Sequence, residues 1–317
     1  MCDELTEKDN AEFLAGKLNR RNFTGLGTIA AFTAILPASG CAEGANEGAS
    51  EAAGEVKKSA AQSASQPALA VTEREVNVPM SGGGVSDSYF VHPETGAHAA
   101  VLIWPDIKGL RPAFKAMGKR MAQAGYSVLV VNPFYRDAKH PVVGPDASFR
   151  DPETRTFLRG MAGKLTQEAS MSDARDYVAF LDAQASTDTN RKVGTAGYCM
   201  GGPLIVRTAG ALPERVAAAA SFHGGGMVRD TEDSPHLLIA RSKAAVLHAV
   251  AENDDERDPE MKVKLAAAYE AAGLPAEIEV YAGTKHGWCP PDSAVYDEAM
   301  AEKAWSRMLA LFSAQLA

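Results

Sequence analysis

The chain has 317 residues, 46% of them hydrophobic, enough to bury one large core with extensions. Its formal net charge of −8 at pH 7 excludes the basic face that non-specific nucleic-acid binding needs. No run reaches the roughly 18 apolar residues that span a bilayer. The four cysteines (Cys2, Cys41, Cys199 and Cys289) form neither a CxxC pair nor a Cys/His zinc pattern. No metal site is read from these cysteines.

The first 41 residues read as an export signal. Arg20 and Arg21 are adjacent and followed by Phe23, as in twin-arginine leaders, and a weakly apolar stretch runs from Phe23 to Leu36. Ala38, Ser39 and Gly40 supply the small residues of a cleavage site, and Cys41 directly after them is a candidate for lipidation. That reading places the protein in the periplasm or otherwise exported, with a lipid anchor to the membrane if Cys41 is modified. The competing reading is an amphipathic N-terminal helix that stays on the protein, because "MCDELTEKDNAEF" is acidic where a signal n-region is basic. Residues 42–70 are almost all Ala, Gly, Ser, Glu, Gln and Lys, and such a segment reads as a disordered linker.

From residue 71 to 317 the texture is that of one catalytic-sized domain. "REVNVPM" and "SYFVHP", joined by Ser81 to Gly84, predict an antiparallel hairpin. "AAVLIWP" and "YSVLVVNPF" are continuously apolar runs, as in strands buried on both faces, with a helix between them over about Pro112 to Ala124. Phe134 to Leu165 has no clear period and reads as a long excursion over the surface. A helix over about Thr166 to Ala183 follows, then the strand "KVGTAGY" and a helix starting near Met200. The strands "VAAAASFHG" and "AAVLHAVAEND", a helix from Pro259 to Ala272, the strand "AEIEVYAG" and a closing helix from Val295 to Leu316 complete the pattern. Such alternation predicts an α/β fold, a mostly parallel sheet with helices on both faces. In such sheets ligands sit beyond the carboxyl ends of the strands.

Three strand ends carry three kinds of catalytic residue. Gly197-Tyr198-Cys199-Met200-Gly201 is a G-x-C-x-G turn between a strand and a helix. A sharp turn of this kind lifts the central side chain, and the flanking glycines remove the Cβ atoms that would clash as strand and helix close. The Met200 N–H, at the helix N-terminus, is aimed where an oxyanion would form. In "AENDDERDP", Asp254 is the best-placed acid for orienting a histidine. In "GTKHGW", His286 lies just past its strand. Read singly, each has a bland alternative: a buried thiol, a solvated acidic loop, a surface histidine. Nucleophile, acid and histidine, separated by 55 and 32 residues, nevertheless follow the chain order of α/β-hydrolase triads.

"GYCMGG", "AENDDERDP" and the stretch from "YAGTKHGWCPP" to "RMLALF" resemble the dienelactone hydrolase family, cysteine-nucleophile members of the α/β-hydrolase fold. The resemblance covers about Val71 to Leu316. It implies Cys199 as nucleophile, His286 as general base and Asp254 as orienting acid. It also implies that Asp106, where the best-known members have glutamate, contacts the resting thiol, and that the Ile107 N–H completes an oxyanion hole with that of Met200. Those members hold a substrate carboxylate with an arginine four residues after the histidine, where this chain has Pro290. Arg155 and Arg159 are the candidates for supplying a cation instead, and Tyr135 and Trp288 for lining the pocket. His223 can also line the site, and Cys289 lies near enough in sequence to His286 for a Cys199–Cys289 disulfide to be considered.

The reading is a monomeric cysteine-dependent hydrolase of small ester or lactone substrates, working through an acyl-thioester, which needs neither a metal nor an organic cofactor. The rival readings are a thioesterase or acyltransferase using the same three residues, and a non-catalytic envelope lipoprotein that keeps the fold as a binding module.

Overall fold

The computed structural model describes residues 8–15 and 68–317. The twin-arginine pair, the apolar stretch, Cys41 and nearly all of the 42–70 linker lie outside the described residues. Of the expected leader, the structure shows residues 8–15, which form a helix.

Eight strands make one sheet: β1 (Val71–Pro79), β2 (Val85–Pro93), β3 (Ala100–Trp104), β4 (Ser127–Val130), β5 (Val193–Tyr198), β6 (Val216–Phe222), β7 (Ala245–Ala251) and β8 (Ala276–Tyr281). Their order is β1-β2-β4-β3-β5-β6-β7-β8. The first three in that order are antiparallel neighbours, and from β4 onward every pairing is parallel. The predicted hairpin is present, its register running from Val71 opposite Pro93 to Pro79 opposite Val85.

The central strands are apolar on both faces because both faces are covered. Alternate residues of β3 feed two cores: Ala100, Leu102 and Trp104 one, Val101 and Ile103 the other. Helices α1 (Pro112–Gln123) and α7 (Glu298–Gln315) pack on the second core. Helices α3 (Gln167–Asp182), α4 (Gly201–Ala211) and α6 (Pro259–Ala271) pack on the first. Consecutive β3 and β4 wind one way and β5 the other, so the crevice at the carboxyl ends of β3 and β5 is the switch point of the sheet.

Two sequence expectations are corrected. The excursion from Phe134 to Leu165 contains a helix, α2 (Pro152–Ala162), that hydrophobic period alone did not reveal. Its start is marked by other means: the Asp151 carboxylate accepts the Thr154 N–H at 2.8 Å, and Pro152 occupies the first turn, where its missing N–H costs nothing. The strand expected to run to Asp254 ends at Ala251, and Glu252–Arg257 is a short helix, α5. Asp254 thus sits in a helical turn directly after the strand.

Candidate active site

The turn after β5 is built for close approach. Cys199 has φ of 52°, in the left-handed region that a residue with a side chain seldom occupies. A Cβ on Gly197 would lie 2.1 Å from the carbonyl oxygen of Gly201, and one on Gly201 would lie 2.3 Å from that of Trp104. Only glycine at both positions lets β5, β3 and α4 meet so tightly, and the result lifts Cys199 from the strand end.

The three residues that the sequence placed at separate strand ends meet in space. His286 Nε2 lies 3.1 Å from Cys199 Sγ, and its Nδ1 lies 2.7 Å from Asp254 Oδ2. All three are largely or wholly out of solvent: Cys199 is 3% exposed and His286 4%, with the Asp254 side chain at 11%. Burial pushes the imidazole toward neutrality, but the Asp254 carboxylate and then the Cys199 sulfur outweigh it and hold His286 up at about 10. The geometry suits an imidazolium whose two N–H groups donate to the carboxylate and to sulfur. The His286 backbone is fixed as well, its N–H donating to Asn253 Oδ1 at 2.8 Å.

Behind His286 stands an aromatic wall. His223, also at positive φ (41°), meets the His286 ring edge-on at 5.2 Å between centroids. Both its ring nitrogens are buried without a hydrogen-bond partner, and burial, then the charge on His286, keep it well below the usual histidine range. It is a neutral packing partner. Trp288 is fully buried, stacked on Tyr281 at 4.8 Å, and supports this wall from behind.

Cys199 opens into a cavity of about 320 Å³ at the sheet's switch point. Ile107 and Met200, the two expected oxyanion donors, both line it. So does Arg159 from α2, whereas Arg155, one turn earlier, is not among its lining residues. Tyr135 is also elsewhere, its hydroxyl donating to Asp173 at 2.9 Å, and Trp288 packs behind the histidine rather than facing the cavity. Asp106, expected against the thiol, is gripped by Arg111. Arg111 Nη1 and Nη2 donate to its two oxygens at 2.6 and 2.8 Å, and the Lys108 N–H adds a bond at 2.9 Å. The same guanidinium also bonds Asp292 through Nε at 2.6 Å. A planar donor fork matches a carboxylate pairwise, which explains why the shorter acid is drawn to Arg111.

Two cations of the cavity were not singled out from the sequence, Arg207 of α4 and Arg229 after β6. Arg207 is 5% exposed; its Nη1 donates to the Leu165 carbonyl at 2.7 Å and more weakly to Ser170 Oγ, while Nε is buried and unpartnered. Burial and then the like charge of Arg229 push it down to about 10. Arg229 holds Asp233 at 3.1 Å through Nη2, and its Nε is likewise buried without a partner. A lone arginine inside the apolar run "PLIVRTAGA", directly after the Cys199 turn, was the sequence signal for the first of them.

Comparison with known proteins agrees with this architecture. The carboxymethylenebutenolidase of Rhodococcus opacus is 24% identical over 228 residues, spanning 70% of this chain and 84% of that protein. Protein usf of Aquifex pyrophilus is 27% identical over 233 residues, spanning 72% and 93%. Among solved structures, a dienelactone hydrolase-like promiscuous phosphotriesterase from metagenomic libraries superposes with a TM-score of 0.65 at 21% identity. The superposition covers 78% of this chain and all of the other. The profile of the dienelactone hydrolase family matches residues 86–316. With that match spanning β2 to β8, the turn carrying Cys199 and the loop carrying His286, the chain belongs to the dienelactone hydrolase family, hydrolases of lactone and ester bonds.

Proposed function

We propose that this protein hydrolyses small esters or lactones carrying an anionic group, with Cys199 as nucleophile, His286 as acid and base, and Asp254 as its orienting partner. One observation carries the reading: the hydrogen-bonded line Asp254–His286–Cys199 ends at a cavity walled by Arg159, Arg207 and Arg229.

In the first step Cys199 sulfur, as thiolate, attacks the substrate carbonyl carbon and forms a C–S bond. The carbonyl electron pair moves to oxygen, where the N–H groups of Met200 and Ile107 stabilise it. Collapse expels the alcohol oxygen, which takes the proton from His286 Nε2, leaving an acyl-thioester. His286, now neutral, removes a proton from water as that water attacks the thioester. Collapse of this second intermediate releases the carboxylic acid and restores the thiolate and imidazolium.

The anionic preference rests on the arginines. Burying a guanidinium without an ion-paired carboxylate is costly, and Arg207, 5% exposed, keeps a buried, unpartnered Nε beside this cavity, with Arg229 adding a second cation there. A substrate carboxylate offers the missing acceptor.

Cys199→Ala tests the reading. Hydrolysis of an activated aryl ester should fall by about 10⁴-fold or more while the circular dichroism spectrum is unchanged. Wild-type protein quenched in acid during turnover should carry one acyl group on Cys199 by peptide mass. Activity retained in the variant would overturn the assignment, and product analysis with added alcohols or thiols separates hydrolysis from acyl transfer.

A further inference from the structure

The acidic N-terminal segment, which the leader reading discards, is seated on the loops that carry Asp254 and His286. Asn10, 9% exposed, donates from Nδ2 to the carbonyl of His286 at 3.2 Å. The Asp9 carboxylate accepts from Arg257 Nη2 at 2.9 Å and from Asn253 Nδ2 at 3.3 Å. The Lys285 ammonium lies 6.0 Å from the centroid of the Phe13 ring. Three of the four residues contacted are the immediate neighbours of Asp254 or His286, or His286 itself.

These contacts converge on the geometry of the acid–histidine pair. Asn253 is held at both ends of its amide, accepting the His286 N–H through Oδ1 and donating to Asp9 through Nδ2. The peptide units on both sides of the His286 α-carbon are thereby tied, the N–H to Asn253 and the carbonyl to Asn10. Arg257 is shared between Asp9 at 2.9 Å and Asp254 at 3.8 Å. Arg257 thus links the Asp9 carboxylate directly to that of Asp254.

We propose that residues 8–15 are retained in the working enzyme as a clamp, in which Asp9 and Asn10 are positioning residues for Asp254 and His286. The proposal rests on the Asp254–His286–Cys199 assignment. It runs against cleavage at residues 38–41, because that cleavage would remove the clamp from the mature chain.

The test uses the full chain with Asp9→Asn, Asn10→Ala and the double substitution, and Asp9→Glu as the conservative control. A small displacement of a catalytic group far from its reacting atoms costs turnover more than binding. The expected result is a kcat about tenfold lower in the double variant, KM within about twofold, an unchanged Tm, and near-complete recovery in Asp9→Glu. Wild-type kcat in the double variant would overturn the proposal, as would a fall in Tm with kcat and KM changing together. Intact mass of the protein recovered from the cells that make it should include residues 8–15, and an N-terminus beyond residue 15 would overturn it. Cys199→Ala is assayed alongside. If that variant is inactive while the double variant matches wild type, only the clamp fails; if it stays active, the underlying assignment fails.

Discussion

Cys199 follows β5 in the core of one face of the sheet, and Cys289 lies three residues past His286 in the core of the other. Both are free and both are buried, so the disulfide considered from sequence is not formed. Their surroundings differ in kind. Cys289 shares a second cavity, of about 190 Å³, with Tyr198, Phe222, Met117, Trp305 and Met308, and burial alone pushes its thiol well above the usual range. Cys199 stands on a strained turn with His286 at 3.1 Å and opens toward arginines. Burial is common to the two; a charged partner at hydrogen-bond distance, which favours the thiolate, belongs to Cys199 alone.

The largest test of this contrast removes the charge that sustains the partner. Asp254→Asn keeps the shape of the acid but not the carboxylate that raises His286. We expect kcat to fall by about 10⁴-fold, the loss expected when a triad's orienting acid is replaced by its amide, or roughly 5 kcal/mol at 1.36 kcal/mol per tenfold. Stability changes with a definite sign. His286 is raised in the folded state to about 10 from an ordinary 6.5, so its contribution is fully present below pH 6.5. It is lost as pH rises through about 10. In Asp254→Asn that contribution shrinks, and urea midpoints at pH 6 and pH 10 should lie closer together than in wild type. An undiminished gap would mean that another group carries the pH dependence.

The second test attacks the turn rather than the charge. Gly197→Ala would place a methyl carbon 2.1 Å from the Gly201 carbonyl oxygen, with no flexible side chain to yield. We expect a loss of about 3 kcal/mol, at the upper end for overpacking, read as a lowered urea midpoint together with lost activity. Full stability would show that the nucleophile turn can open without cost.

How much of this was legible follows from where each signal resides. Cys199, Asp254 and His286 could be read because each lies just past a predicted strand, and strand-end position is local information. The α/β order, the hairpin and the parallel sheet were legible for the same reason. Helix α2 was missed by its period, although Asp151-Pro152-Glu153 carried a start signal that period does not measure. Arg207 and Arg229 were not legible as a pair, since their meeting at one cavity depends on how α4 packs. The Arg111 bridge from Asp106 to Asp292 spans 181 residues on one side, and the Asn10 bond to His286 spans 276. Contacts of such separation leave no trace in spacing, and the shorter-range bonds of Asp106 to Arg111 and of Tyr135 to Asp173 depend on how the side chains turn, which sequence does not give either.

A third test sharpens what the nucleophile's cavity selects. Arg207→Met keeps much of the apolar stem and deletes the buried guanidinium. For an ester with a carboxylate in its acyl part, kcat/KM should fall by about 10- to 100-fold, as charged hydrogen bonds are worth about 1.5–3 kcal/mol. A neutral ester of equal size should change by less than about threefold, and its stability should hold or rise, because a costly buried charge is gone. Equal losses on both esters would assign Arg207 to packing rather than to recognition.

The smallest expected effect belongs to the other thiol. Cys289→Ala removes one buried sulfur from an apolar site and adds its volume to a cavity already present. The loss is about 1 kcal/mol, comparable to one buried methylene, and shows as a slightly lowered Tm. Ester hydrolysis should stay within about twofold of wild type. Iodoacetamide at neutral pH should still modify Cys199 in this variant, read by peptide mass, with loss of activity. In Cys199→Ala the Cys289 thiol should react only in denaturant, since its sulfur is buried and held protonated by that burial. Rapid labelling of Cys289 in the folded protein would mean that exposure, rather than the His286 partner, sets the reactivity of both thiols.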